Sequence, residues 1–112
     1  MIANVAAWVV TALHVVFGFS EAFGWARMGA RFGLTPEAIE HTRSLAANQG
    51  AYNFGLAAVL AWAIATGQRQ TVVAMLLYVV AMAIVGAVTV RWTIFVIQGV
   101  PALIALALFA FL

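Results

Sequence analysis

The chain has no cysteine, no lysine, no aspartate and only two prolines. Without cysteine there are no disulfides, thiolate metal sites or cysteine nucleophiles, and the redox compartment stays undecided. Charge is scarce: five arginines and three glutamates make up 7% of 112 residues. The isoelectric point near 10.0 therefore reflects a net charge of only +2. With no basic run and no basic helix face, the sequence argues against a nucleic-acid partner. Ser20 and Ser44 are isolated, so no serine triad is evident, and no glycine loop follows a strand. The two histidines with Glu21 make a poor metal set, and His41 falls outside the apolar segments. A lone His14 could ligate haem, but nothing in its spacing favours that over a structural role. No metal or cofactor is expected.

What is present is apolar. Hydrophobic residues make up 67% of the chain, and the mean hydropathy is +1.13. The length suits one domain, residues 1–112. A membrane-crossing helix needs about 20 mostly apolar residues. Ile2–Gly24, Leu45–Thr66, Thr71–Val90 and Thr93–Leu112 qualify or nearly do. Their apolar runs are too continuous for alternating strands, and closed barrels need more strands than this chain can supply. The links Gly67–Gln70 and Arg91–Trp92 are short and impose antiparallel neighbours. The fold class expected is an all-α membrane protein, an antiparallel four-transmembrane-helix bundle. The start, Met1–Ala7, has no basic residue, and its apolar run outlasts a signal sequence, so it reads as a retained first span.

Arginine distribution sets the orientation. Arg27, Arg31 and Arg43 lie in the first link and Arg91 in the third, against Arg69 alone in the second. The first and third links are thus expected in the cytoplasm, with both termini outside. Trp25, Trp62 and Trp92 fall near the expected interfaces. In the long first link, Thr35-Pro36-Glu37 reads as a helix cap, a proline at the first helical position and a dipole-favoured acid. The second helix then runs over residues 36–66, including a cytoplasmic extension, for roughly 46 Å. Glu37 with His41 and Glu40 with Arg43 are spaced to pair along it.

Polar residues within such segments are costly and call for a partner or a wet cavity. Thr11, His14, Gly18 and Glu21 fall on one face of the first span, with Glu21 about 10 Å nearer the cytoplasmic end than His14. In the second span Asn48 with Tyr52 and Gln49 with Asn53 are i, i+4 pairs on adjoining stripes, Asn53 being about 7.5 Å deeper than Asn48. Gln98 lies about one and a half turns into the fourth span. All these groups are expected in the cytoplasmic half of the bilayer. His14, Glu21, Asn48, Gln49, Tyr52, Asn53 and Gln98 thus form the candidate ligand-binding set, with Glu21 and His14 as candidate catalytic groups. Each has a plainer reading. Glu21 could snorkel and pair with Arg27 or Arg91. His14 could bond a carbonyl or Thr11. The amides could join helices, and Gln98 with Pro101 could relieve a broken helical turn, since Pro101 cannot donate to the Ile97 carbonyl. Gly18, Gly50, Gly55 and Gly86 read as close-packing points.

These residues resemble a family of small bacterial four-helix integral membrane proteins of unknown function. The likeness rests on His14 and Glu21, then Trp25, Phe32-Gly33-Leu34, and Ala-Asn-Gln-Gly-x-Tyr-Asn at Ala47–Asn53. It continues with Gly86-Ala-x-Thr and with Val-x-Gln-Gly-x-Pro-Ala at Val96–Ala102, where Ile97 is an insertion into the family's Val-Gln-Gly. It covers nearly the whole chain and implies a multi-pass protein of the bacterial inner membrane, but no activity. Three functions remain open. One is proton-coupled transport or binding of a small molecule, with Glu21 exchanging a proton; transport would call for a homodimer, since four short helices rarely enclose a path. Another is an acid/base enzyme, an isomerase or hydratase acting on a lipophilic substrate through Glu21 and His14. The last is a non-catalytic small-molecule or lipid-binding protein, or an accessory subunit. The lipid bilayer is the one partner common to all three.

Overall fold

The computed structural model describes residues 1–112 and is helical throughout, without a strand. It comprises α1 (Ile2–Ala22), α2 (Trp25–Arg31), α3 (Pro36–Ala65), α4 (Arg69–Thr89) and α5 (Val100–Phe111), the last entered through a π-helical turn at Phe95–Gly99. The all-helical expectation holds, but the chain has five helices rather than four. The extra one is α2, which occupies the start of the stretch read as the first link.

The helix ends follow local chemistry. Thr35 caps α3 as expected: its Oγ1 accepts the Ala38 N–H at 3.2 Å, and Pro36 supplies the first helical residue. Two glycines stop helices in the left-handed conformation, Gly33 at φ 82° and Gly67 at φ 69°. Each closes a Schellman motif. After α2, Gly33 N–H donates to Ala30 O and Leu34 N–H to Gly29 O, both at 3.0 Å. After α3, Gly67 N–H donates to Ile64 O at 3.2 Å and Gln68 N–H to Ala63 O at 2.8 Å. Of the two spaced pairs on α3, only Arg43–Glu40 forms, at 3.2 Å.

Helices α1 and α4, 21 residues each, are long and apolar enough to cross a membrane. The segment Phe95–Phe111 is apolar but shorter. Helix α3 has the length, at 30 residues, but carries Glu37, Glu40 and Arg43 in its first turns.

The residues group into two compact units. The first comprises Met1–Leu13 and Ala58–Leu112. In it α4 buries Val72, Leu76, Val79 and Ala83, spaced four, three and four apart, the stripe of a helix packed along a neighbour. The partner stripe on α5 is Ala102, Ala105 and Phe109. The two lie antiparallel and close. A Cβ on Gly86 would stand 2.8 Å from Ile94 Cγ2, and one on Gly99 would stand 3.2 Å from Ala83 Cβ. At the other end of this pair the Arg69 guanidinium donates to the Phe109 carbonyl and lies 5.4 Å from the Phe109 ring centroid, where a cation favours the end of a helix.

The second unit is His14–Ala57. Here the C-terminal part of α1 meets α3 around residues 50–54, and α2, between them in sequence, meets the beginning of α3. Gly29 of α2 is buried, and a Cβ there would lie 2.8 Å from Ile39 Cγ1. Trp25 Nε1 donates to Thr42 Oγ1 at 2.9 Å, and that hydroxyl donates to Ala38 O at 2.7 Å. The indole expected as an interfacial anchor is therefore tied to α3. These contacts, more than any local signal, hold the seven-residue α2.

Candidate functional site

The buried stripe of α1 is Ala3, Ala7, Val10, Thr11, His14 and Gly18. His14 is only 2% exposed and sets its ring edge-on to Phe17, with centroids 5.3 Å apart. Thr11 satisfies itself, donating to the Ala7 carbonyl at 3.0 Å. The buried stripe of α3 is Ala46, Gly50, Asn53, Ala57 and Leu60. In the second unit these stripes meet at Gly18 and Gly50. A Cβ on Gly50 would stand 2.8 Å from Gly18 O and 2.9 Å from Ala22 N, and one on Gly18 would meet the Phe54 ring at 2.6 Å. As numbers rise along α1 they fall along α3, so the helices are antiparallel here.

That close approach brings Glu21 to Asn53. The Asn53 Nδ2 amide donates to Glu21 Oε1. Helical side chains lean toward their own N-terminus. On antiparallel helices, Glu21 therefore leans back along α1 and Asn53 leans the opposite way, and the two converge. Asn53 is buried at 6% exposure and Glu21 is half-buried. Glu21 thus takes the amide and not Arg27 as its partner. Phe19 and Phe54 pack edge-on beside the pair at 5.0 Å between centroids.

The rest of the expected set is placed differently. Asn48, Gln49 and Tyr52 are exposed on α3, Tyr52 at 69%. Asn48 and Tyr52 do not share the face of Asn53, because at about 100° per residue they sit roughly 140° and 100° round the helix from it. Gln49 is only about 40° away but stands exposed at the edge of that face. Gln98 lies in the first unit, half-buried, inside the π turn. There the Val100 N–H reaches back to Phe95 O, five residues rather than four, and Pro101 follows at once. His14 lies two turns from Glu21 on the same helix, about 10 Å along the axis.

Sequence reading missed Phe54, which covers Gly18 and meets Phe19 edge-on, and the groove at the end of α1. Phe19, Phe23, Arg27 and Arg31 line this groove. Gly55, read as a packing point, has nothing near the place a Cβ would take. Gly18, Gly50 and Gly86 are close-packed as expected.

The geometry defines a class: a small, all-helical, apolar protein with one carboxylate–amide contact between glycine-packed antiparallel helices. Within that class the chain belongs to the family described as "Protein of unknown function (DUF1304)", whose family model matches residues 8–110. No curated protein and no solved structure matches the chain.

Proposed function

We propose that the chain is an integral membrane protein with four spans, α1, α3, α4 and the Phe95–Phe111 segment, arranged as an antiparallel bundle. In this reading it binds a small cation or hydrogen-bond donor beside Glu21 and Asn53 and couples binding to proton exchange at Glu21. The observation that carries the proposal is the hydrogen bond from buried Asn53 to Glu21. A carboxylate linked to another helix in so apolar a chain needs a reason, and both side chains keep oxygen acceptors that a donor or cation can use.

Membrane residence is supported by what the outward faces carry. Only 33% of the most apolar window of α1 and 22% of that of α4 are buried, whereas a soluble core helix would be mostly buried. Large apolar residues such as Val9, Val16, Leu77 and Ile84 stand exposed, and such surfaces mark contact with lipid or another protein. Arginine bias supports an orientation with both termini outside and α2 in the cytoplasm. Glu21 then sits near the cytoplasmic end of α1, and ligand reaches it from that side. Proton-coupled binding is favoured over acid/base catalysis by Glu21 and His14, because two helical turns separate those groups and a direct proton transfer needs hydrogen-bond reach.

A hydrophobic carbodiimide tests the carboxylate. A protonated carboxyl group in apolar surroundings adds across dicyclohexylcarbodiimide to give an O-acylisourea, which rearranges to a stable N-acylurea, and intact and peptide mass spectra locate that adduct. A single adduct on Glu21, absent from Glu21→Gln and suppressed by a bound cation such as ethidium, is the expected result. Adducts confined to Glu37 and Glu40, or none, would remove Glu21 from the proposal.

A further inference from the structure

A second site lies at the corner between α1 and α2. There a cleft of about 610 Å³ opens between Phe19 and Phe23 on one side and Arg27 and Arg31 on the other. Both arginines are exposed, and the Arg43–Glu40 ion pair uses neither of them. They stand i, i+4 on α2, so both guanidinium groups can reach one anion. Guanidinium groups favour phosphate because their N–H donors match its oxygens in pairs. Across the cleft Phe19 is 56% and Phe23 78% exposed, with ring centroids 5.8 Å apart. Beyond them the exposed side of α1 continues with Val15 and Val16.

We infer that this cleft holds the headgroup of one anionic phospholipid, its phosphate between Arg27 and Arg31 and an acyl chain along Phe23, Phe19 and the outer face of α1. Charge complementarity selects the anion. The apolar wall selects a lipid over free phosphate, because an inorganic ion gains nothing from two exposed phenyl rings. The inference rests on the membrane reading above, in which α1 ends at the cytoplasmic leaflet, the surface that carries anionic lipid. It is independent of what binds at Glu21 and Asn53.

The test is native mass spectrometry of the full chain in detergent, with equal amounts of dioleoylphosphatidylglycerol and dioleoylphosphatidylcholine. Wild type is expected to carry one phosphatidylglycerol several-fold more often than one phosphatidylcholine. The Arg27→Gln/Arg31→Gln variant should lose the preference while keeping its helical circular dichroism, and Arg43→Gln should retain it. Equal uptake of both lipids by wild type overturns the inference, and that arm decides even if the double variant does not fold. So does a preference that survives in the double variant, or one that falls equally in Arg43→Gln, which would report bulk charge. Displacement of the lipid by inorganic phosphate would assign the arginines to a free anion and overturn the lipid as occupant. Alkaline extraction of membranes separates the two layers of argument. A chain released by alkali removes the membrane reading, whereas a chain retained without lipid preference removes this site alone.

Discussion

Asn53 of α3 donates its side-chain amide to Glu21 of α1, 32 residues earlier in the chain. The contact exists because Gly18 and Gly50 let the two backbones approach until a single Cβ on Gly50 would lie 2.8 Å from the Gly18 carbonyl. Small residues set the distance, and the polar pair occupies the space that distance creates. Two consequences can be measured separately.

The first concerns the polar pair. Replacing Asn53 by leucine leaves Glu21 without its amide donor, and an unmet polar group costs more than the bond's net worth. Glu21→Gln keeps the shape and an amide-to-amide bond. Asn53→Leu should therefore destabilise the protein by about 1–2 kcal/mol and Glu21→Gln by less, whereas Glu21→Leu, which removes the acceptor, should show a coupling energy of about 0.6–1.7 kcal/mol with Asn53→Leu. A double-mutant cycle on unfolding by denaturing detergent measures this. A coupling of zero would mean that the hydrogen bond contributes nothing to stability.

The second concerns the glycines. Gly50→Ala puts a methyl against backbone atoms of α1, which cannot rotate away. Overpacking of this kind costs about 1–3 kcal/mol. Gly18→Ala meets the Phe54 ring, which can turn, so its cost should be smaller. Gly55→Ala meets nothing within 4 Å and should stabilise by about 0.5–1 kcal/mol, the helical preference of alanine over glycine. The expected order of stability is Gly55→Ala, then Gly18→Ala, then Gly50→Ala. Parallel thermal melts check it, and a Gly50→Ala variant no less stable than Gly18→Ala would move the close contact away from Gly50.

How far the chain's architecture was legible depended on whether the deciding signal was local. Thr35-Pro36 marked the start of α3 because a cap and a proline act on their own turn. Long apolar runs marked α1 and α4 for the same reason. Helix α2 was not legible: Gly24, before it, offers no capping side chain, and Trp25 and Gly29 acquire their role only through Thr42 and Ile39, many residues on. Gly33, left-handed at φ 82°, carries the only local signal for the end of α2. In the candidate site, Glu21 and Asn53 were both named from sequence, yet spacing along one helix could not say which amide would meet the carboxylate. Gly50 decides that. The close-packed face passes through it, so Asn53, three residues on, turns inward and Asn48 and Tyr52 turn outward.

The π turn yields a third prediction. A π turn accommodates one residue beyond the α-helical register, since each N–H reaches back five residues instead of four. Ile97 lies at the centre of Phe95–Gly99. Deleting Ile97 should close the turn to α-helix and leave Gly99, Ala102 and Ala105 on the same face toward α4. Deleting Ile104, within regular helix, should instead rotate everything beyond it by about 100°. The Ile97 deletion is thus expected to keep the wild-type melting temperature within a few degrees, and the Ile104 deletion to lower it clearly. Equal loss in both would show that the π turn is required by its surroundings and not by the extra residue.

The last prediction concerns orientation, on which access to Glu21 depends. The chain has no cysteine, so single cysteines report without background. Gln68 and Glu37 are both exposed, one in the tight turn before α4 and the other in the first turn of α3. Neither carries a hydrogen bond through its side chain that the exchange would remove. Arginine bias puts the turn at Gln68 outside and Glu37 in the cytoplasm. With a membrane-impermeant maleimide on intact cells, Gln68→Cys should label at once, and Glu37→Cys only after the membrane is opened. The opposite pattern would invert the protein, so that Glu21 and the Arg27–Arg31 cleft face outward. The cleft would then meet the outer leaflet, and ligand would reach Glu21 from outside. Labelling of both positions in intact cells would mean that α3 does not cross. The four-span reading would fail with it, although the Glu21–Asn53 contact, which depends only on α1 packing against α3, would stand.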